Sequence, residues 1–451
     1  MTGLPLLGPG GLDAPLAWRG GRALSRRQYL ADVAALAERL PAHGTVLNLA
    51  GDRYRFAVGL GAAMVRGHTS LLPPNRTPDM IARLRDDYDD IYAIVEADGP
   101  DTGLTSVVFA AGESPPATDA AIPRIAADQI VARVLTSGST GAPVPHPKPW
   151  SLLVASARAE ADRLAESMGR DSLDGVSLVA TVPAQHMYGF ESTVLIALQA
   201  GAAFDAERPF YAADIAAALA RLARPRMLVT TPFHLKVLLD AGLPLAPVDL
   251  ALCATAPLSP QLAARAEAAL AAPLVEIYGC TEAGQVATRR TTAGAEWRVF
   301  DGLGLDGDGE RTTVEGGHVP QPTLLADVLE VIDRRRFRLL GRANDLINIA
   351  GKRSSLSHLD YHLNAIEGVT DGAFWVPPGD DAGTAIVRLV AFVVAPALSR
   401  ATLLAALRER IDTAFLPRRI VYVAILPRDP TGKLPAGRLA TLAGALPPTV
   451  R

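Results

Sequence analysis

The segment LTSGSTGAPVPHPK, residues 135–148, lies between an apolar run of strand length, IVARVLTS, and a helix-like stretch that begins near Ser151. From Thr136 to Gly141 it holds two threonines, two serines and two glycines. Backbone N–H groups and hydroxyls in such a loop can converge on anionic oxygens at a strand-to-helix connection. A phosphate cradle fits this composition, and so does a plain polar turn. A Walker loop does not fit, because Gly138 and Gly141 are too close together and no Lys-Ser/Thr pair follows the second glycine.

Working outward, residues 130–280 alternate apolar runs of strand length (SLVATVPA, RMLVTTP, VDLALCAT, LVEIYGC) with helix-like stretches (SLLVASARAEADRLAE, ESTVLIALQAGA, AADIAAALARLAR, PQLAARAEAALAA). That alternation predicts parallel strands with crossover helices, buried on both faces. Residues 25–95 repeat the pattern more weakly, and from about 286 short β-like segments with tight turns take over. The predicted class is α/β: a large N-terminal domain, 1–343, of helix-covered, mainly parallel sheets with a β-rich subdomain, and a small mobile α+β C-terminal domain, 346–451. A hinge is expected at Asn344 and Asp345.

The bulk properties bound the function. The 451 residues, 49% of them hydrophobic, call for a large domain and a small one. With a formal net charge of −3 and no long block of like charge, nucleic acid and anionic membrane surfaces are not expected partners. No apolar run approaches the roughly 20 residues that span a bilayer, so stable membrane insertion is not expected. The only cysteines are Cys253 and Cys280, and the start MTGLPLLGPGG lacks the pattern of a signal peptide, so a reducing, cytoplasmic setting is expected. Arginine is abundant, whereas lysine occurs only at Lys148, Lys236, Lys352 and Lys433, sites where arginine did not serve.

Three further stretches carry candidate chemistry. EIYGCTEAG, 276–284, puts Thr281 and Glu282 at the carboxyl end of a strand, where open α/β sheets bind ligands. Glu282 offers a hard oxygen to Mg²⁺ and Thr281 a donor to phosphate, although a solvated turn would read alike. LLGRANDLINIAGKR, 339–353, reads as a hinge or an ordinary linker. PTGK, 430–433, places Lys433 in a proline-flanked turn, where a point charge suits a phosphate or a developing oxyanion.

The order of these elements, TSGSTG at 136, YGCTE at 278, GRANDLI at 341 and PTGK at 430, resembles the adenylate-forming superfamily of acyl-CoA synthetases, peptide-synthetase adenylation domains and luciferases. The resemblance runs along nearly the whole chain. It implies ATP and Mg²⁺ as cofactors and a small domain that rotates between two half-reactions. By that resemblance Thr136, Ser137, Gly138, Ser139, Thr140 and Gly141 hold the β- and γ-phosphates. Thr281 meets the α-phosphate, Glu282 ligates the metal, and Tyr278 with Ala256 and Pro257 walls the adenine pocket. Asp327 binds the ribose hydroxyls beside Arg342. His186, Gly189 and Cys280 line the acid pocket, and Lys433 bridges the substrate carboxylate and the α-phosphate.

The chain departs from the superfamily at Val144, where most members carry lysine after the loop's proline, and at Asn344, where the hinge is often aspartate. Lys148 then either replaces the missing γ-phosphate partner or leaves the loop to its backbone and hydroxyl donors. The segments PVPHPKPW and PAQHMYGFE resemble the subgroup that loads hydroxyaryl acids onto acyl carrier proteins in aryl-polyene and xanthomonadin pigment synthesis. The implied activity is a carboxylic acid ligase that forms an acyl-adenylate and then a thioester. Its partners would be an aryl acid and the phosphopantetheine of a carrier protein, with CoA as the alternative thiol. A non-catalytic nucleotide binder is the rival of another class.

Overall fold

In a computed structural model, described for residues 3–109, 115, 121–137, 143–307, 311–342, 346–349, 352–377, 389–428, 434 and 436–444, the alternating pattern resolves into two large sheets and smaller ones. The first large sheet is six-stranded, in the order Pro143–Pro149, Ile130–Ser137, Thr69–Leu72, Thr45–Asn48, Ile91–Val95 and Thr105–Val108. Its strands are parallel except at the first pair. The second is eleven-stranded, with a parallel centre running from Leu274–Cys280 through Leu250–Cys253, Arg226–Thr230, Ser177–Ala180 and Ala203–Asp205 to Pro15–Arg19.

The central strands read as continuous apolar runs because helices cover both faces: every residue of Arg226–Thr230 and Leu250–Cys253 is buried. The crossover helix Pro260–Leu270 shows how the sequence sets such an element. Ser259 caps it by accepting from the Leu262 N–H at 3.2 Å, proline occupies its first turn, and Ala263, Ala266 and Leu270 form the buried stripe. Cys253 pairs with Glu276 across the parallel ladder, so Ile277 to Cys280 project beyond the neighbouring strand's carboxyl end. This overhang positions the site.

The 135–148 segment differs from expectation. The helix does begin nearby, at Trp150, but Pro143–Pro149 is a strand, paired antiparallel with Ile130–Ser137 from Ser137↔Pro143 onward. The connection is therefore a hairpin, not a strand-to-helix turn, and the helix amino terminus lies a strand's length, about 23 Å, from the Ser137–Pro143 pair. The reason is the spacing of its prolines at 143, 145, 147 and 149. A proline has no N–H, so it fits a strand only where that group would point away from the ladder. Val144, His146 and Lys148, opposite Thr136, Val134 and Ala132, supply the ladder's donors, and the prolines face outward at the edge of the sheet. An outward row without donors also resists pairing with another chain.

From residue 346 the core regroups. Leu359, Leu363, Phe374, Leu403 and Leu407 belong to a separate buried cluster. It lies between the helices Leu356–Asn364 and Arg400–Arg408 and a three-stranded sheet ordered Asp371–Trp375, Val390–Val394 and Arg419–Tyr422. The expected α+β composition is met. The expected hinge residues Asn344 and Asp345 lie outside the described residues.

Restoring donors to the edge tests the reading of the proline strand. A Pro145→Val/Pro147→Val variant is expected to self-associate with rising concentration in size-exclusion chromatography with light scattering, while its far-UV circular dichroism stays native. A variant that stays monomeric would show that the prolines do not guard the edge.

Candidate active site

Tyr278 stands on the overhang of the Leu274–Cys280 strand, whose base is held by buried Glu276 accepting from Arg289 Nε at 3.0 Å. The Arg289 guanidinium lies 4.6 Å above the Trp297 ring, which stacks on Phe337 at 6.1 Å. Tyr278 meets both rings edge-on, at 5.8 and 5.4 Å. This aromatic packing leaves the Tyr278 hydroxyl to donate to Asp327 Oδ2 at 2.8 Å. Asp327 opens the strand Asp327–Asp333 at the far edge of the same sheet, with Arg342 opposite it in register. Three residues assigned by resemblance to adenine and ribose thus share one corner. Ala256 is half-buried and Pro257 exposed, just after the Leu250–Cys253 strand, and Thr255 before them has φ 82°. A β-branched residue in the left-handed region marks a backbone held by its surroundings, a feature no sequence pattern announced.

The residues that the resemblance assigns to the phosphates lie on the hairpin and on the turn that follows Cys280. Thr136 Oγ1 lies 3.0 Å from His146 Nε2 across the hairpin, and that nitrogen lies 3.9 Å from Glu282 Oε1. Two residues further along the same strand face, the Lys148 ammonium donates to the carbonyl of Thr281. Lys148 is only 8% exposed, whereas the Glu282 carboxylate is half exposed. Burial holds the His146 imidazole below its ordinary range against the pull of Glu282, and it lowers the Lys148 pKa against Glu191, Cys280 and Glu282. Cys280 is half-buried, and its thiol is pushed up to about 12, chiefly by burial, so it stays protonated at neutral pH. Ser137 pairs with Pro143 through its backbone. Gly138, Ser139, Thr140, Gly141 and Lys433 lie outside the described residues, as do the side chains of Ser137 and Arg342.

A magnesium nucleotide fits this donor set. Among the described residues no group of three or more His, Cys, Asp or Glu could hold a metal by itself. Mg²⁺ instead takes one or two carboxylates and completes its shell with water and substrate phosphates, which the exposed Glu282 oxygens beside Thr281 permit.

Of the residues expected at the acid pocket, His186 precedes the short helix Met187–Gly189, and the neighbouring Tyr188 hydroxyl donates to the Leu252 carbonyl at 2.9 Å. Packing alone requires Gly189: a Cβ would sit 2.1 Å from the Pro183 carbonyl oxygen.

Beneath the Thr281–Glu282 turn lies a buried polar cluster that pattern reading missed. Glu160 and Glu191, 0% and 2% exposed, sit on helices facing Ser156, Ser192, Gln285 and Lys148. Ser156 donates to Glu191 Oε1 at 3.4 Å. The Gln285 amide, with its nitrogen toward Glu160 at 3.2 and 3.3 Å, accepts from the Ser192 hydroxyl at 2.8 Å. His318 Nε2 meets the Gln285 carbonyl at 2.8 Å. The signal was present in GFESTVLIAL, where one acid interrupts an apolar run. Burial pushes Glu160 up to about 8 and Glu191 up to about 7, the latter opposed by Lys148.

The family model described as AMP-binding enzyme matches residues 13–314. The 4-coumarate–CoA ligase of Rhodobacter capsulatus is 33% identical over 302 residues, 66% of this chain and 73% of the relative. That of Halorhodospira halophila is 28% identical over 308 residues, with the same shares. Among solved structures, ATP-bound MatB from Rhodopseudomonas palustris superposes with a TM-score of 0.79 at 18% identity, covering 96% of this chain and 97% of that one. The anthranilate CoA ligase AuaEII in complex with anthranoyl-AMP gives 0.78 at 16% identity, covering 98% and 99%. At these identities the structures establish the fold.

The two raised carboxyls predict a pH dependence. A carboxyl raised on folding contributes stability that is complete below the unfolded value, about 4.3, and is lost as pH rises through the folded values. The melting temperature is therefore expected to fall between pH 5 and 9, and Glu160→Gln to flatten that fall. Equal slopes for the two proteins in differential scanning fluorimetry would contradict it.

Proposed function

Since the chain belongs to the AMP-binding enzyme family and is an AMP-forming acid–thiol ligase that uses ATP and Mg²⁺, we propose that it activates a hydroxyaryl acid and transfers it to the phosphopantetheine of an acyl carrier protein. The observation that carries the site assignment is the polar chain Thr136–His146–Glu282, which brings the flank of the phosphate loop to the Thr-Glu turn from a distant part of the sequence.

In this reading Tyr278 and Asp327 hold the nucleoside, the Asp327 carboxylate that accepts from Tyr278 also accepting from the ribose hydroxyls. Thr281 donates to the α-phosphate, and residues 136–141 wrap the β- and γ-phosphates. Mg²⁺ on Glu282 would neutralise charge on the departing pyrophosphate. Lys433 approaches the substrate carboxylate and the α-phosphate, so that the carboxylate oxygen attacks phosphorus in a charge-compensated setting. A turn about Asn344 and Asp345 then withdraws Lys433 and admits the thiol, as the separate core beyond residue 346 would permit.

The aryl preference is supported by the 4-coumarate and anthranilate ligases among the similar proteins, and the carrier-protein acceptor by the resemblance of PVPHPKPW and PAQHMYGFE. Those same relatives favour a second reading, in which CoA is the thiol. Carboxylate-dependent ATP–pyrophosphate exchange across hydroxybenzoates, cinnamates and fatty acids is expected to respond to one aryl acid. Thioester should then form with phosphopantetheinylated carrier protein and not with CoA. Transfer to CoA alone would establish the second reading, and absence of exchange with every acid, with ATP bound, would favour a non-catalytic nucleotide binder.

The role of Lys433 is separable from the thiol step. Lys433→Ala is expected to slow adenylate formation by about 10²-fold or more while thioester formation from supplied acyl-adenylate persists. Equal losses in both half-reactions would contradict the assignment.

A further inference from the structure

We propose that Lys148 is a positioning residue for the α-phosphate contact, holding the Thr281–Glu282 turn from its buried side, and does not touch the terminal phosphate. The inference rests on the ligase reading given above and concerns a residue whose place in that reaction the family pattern does not supply.

The geometry carries the argument. The Lys148 side chain enters from the proline strand with 8% of the residue exposed, and its ammonium is already committed to the Thr281 carbonyl. A terminal-phosphate contact would pull that ammonium away and leave a half-buried carbonyl without its donor, which is unfavourable. The Thr281 hydroxyl, which makes no hydrogen bond among the described residues, is left for a ligand.

The strand that delivers Lys148 suits this task. Proline at every second position from 143 to 149 restricts the backbone, and Val144, His146 and Lys148 fall on one face. His146 engages Thr136 and Glu282 from the same face, so neighbouring side chains of one stiff strand address both halves of the turn. Lysine is retained here in a chain that otherwise favours arginine because one carbonyl accepts one compact ammonium. A guanidinium would bring five N–H donors into a buried site that offers few acceptors. Buried Glu191, which touches Ser156, supplies counter-charge from below.

Lys148→Met keeps the volume and removes the donor. Calorimetric titration of the full chain at fixed Mg²⁺, without acid, with adenosine, AMP and ATP separates the possibilities. We expect Lys148→Met to weaken AMP and ATP by the same factor, about tenfold, and to leave adenosine within about twofold of the native chain. Loss confined to ATP would assign Lys148 to the terminal phosphate and overturn the proposal. Equal loss of all three ligands would reduce Lys148 to general packing, and no loss would remove it from the site; either overturns the proposal too. Should Lys148→Met fail to fold, Lys148→Met/Glu191→Gln removes the carboxylate left without counter-charge, and the same pattern is expected. A native chain that binds none of the three ligands would instead contradict the ligase reading itself.

Discussion

A partly buried contact ties the two large sheets together where the chemistry is expected: the Lys148 ammonium on the Thr281 carbonyl. Lys148 belongs to the edge strand of the six-stranded sheet and Thr281 follows a strand of the eleven-stranded one. Neither sheet forms a site alone. The first brings the flank of the hydroxyl-rich loop, the second an overhanging strand with Tyr278, Thr281 and Glu282. The two sheets meet at the Thr281–Glu282 turn, which Lys148 and His146 of the first reach from one strand face.

That contact also explains the polar interior beneath it. Burying an ammonium is unfavourable unless charge and hydrogen bonds compensate. Glu191 provides the first, with Ser156 bonded to its carboxyl, and Gln285 links Ser192 to Glu160 alongside. With burial pushing both carboxyls upward, the cluster exchanges protons near neutrality instead of holding two full negative charges. Gly284, at φ +76° and with Glu191 Oε1 only 3.1 Å from where a Cβ would stand, lets the strand after the turn pass close over these acids.

Legibility differed by element, for physical reasons. The parallel strands and crossover helices were readable because complete burial leaves continuous apolar runs in the strands, alternating with helix-like stretches. The proline strand was misread as part of a loop because single-residue propensity treats proline as a breaker. Only its period of two, matched to the one open side of an edge strand, makes it a strand former here. Tyr278 and Asp327 were singled out one by one through resemblance, yet the bond between them and the aromatic packing that aims it involve four separate strands.

The sequence by itself determined the α/β alternation, the order of the ligase elements and the scarcity of lysine, since these rest on local periodicity and on which residue types occur. The tertiary structure alone decided what Lys148 touches, why Glu160 and Glu191 are raised and why Gly189 admits no side chain. Each of these is a matter of distance between segments far apart in the chain, and the cost of burying charge depends on the partners that arrive, not on neighbours in sequence.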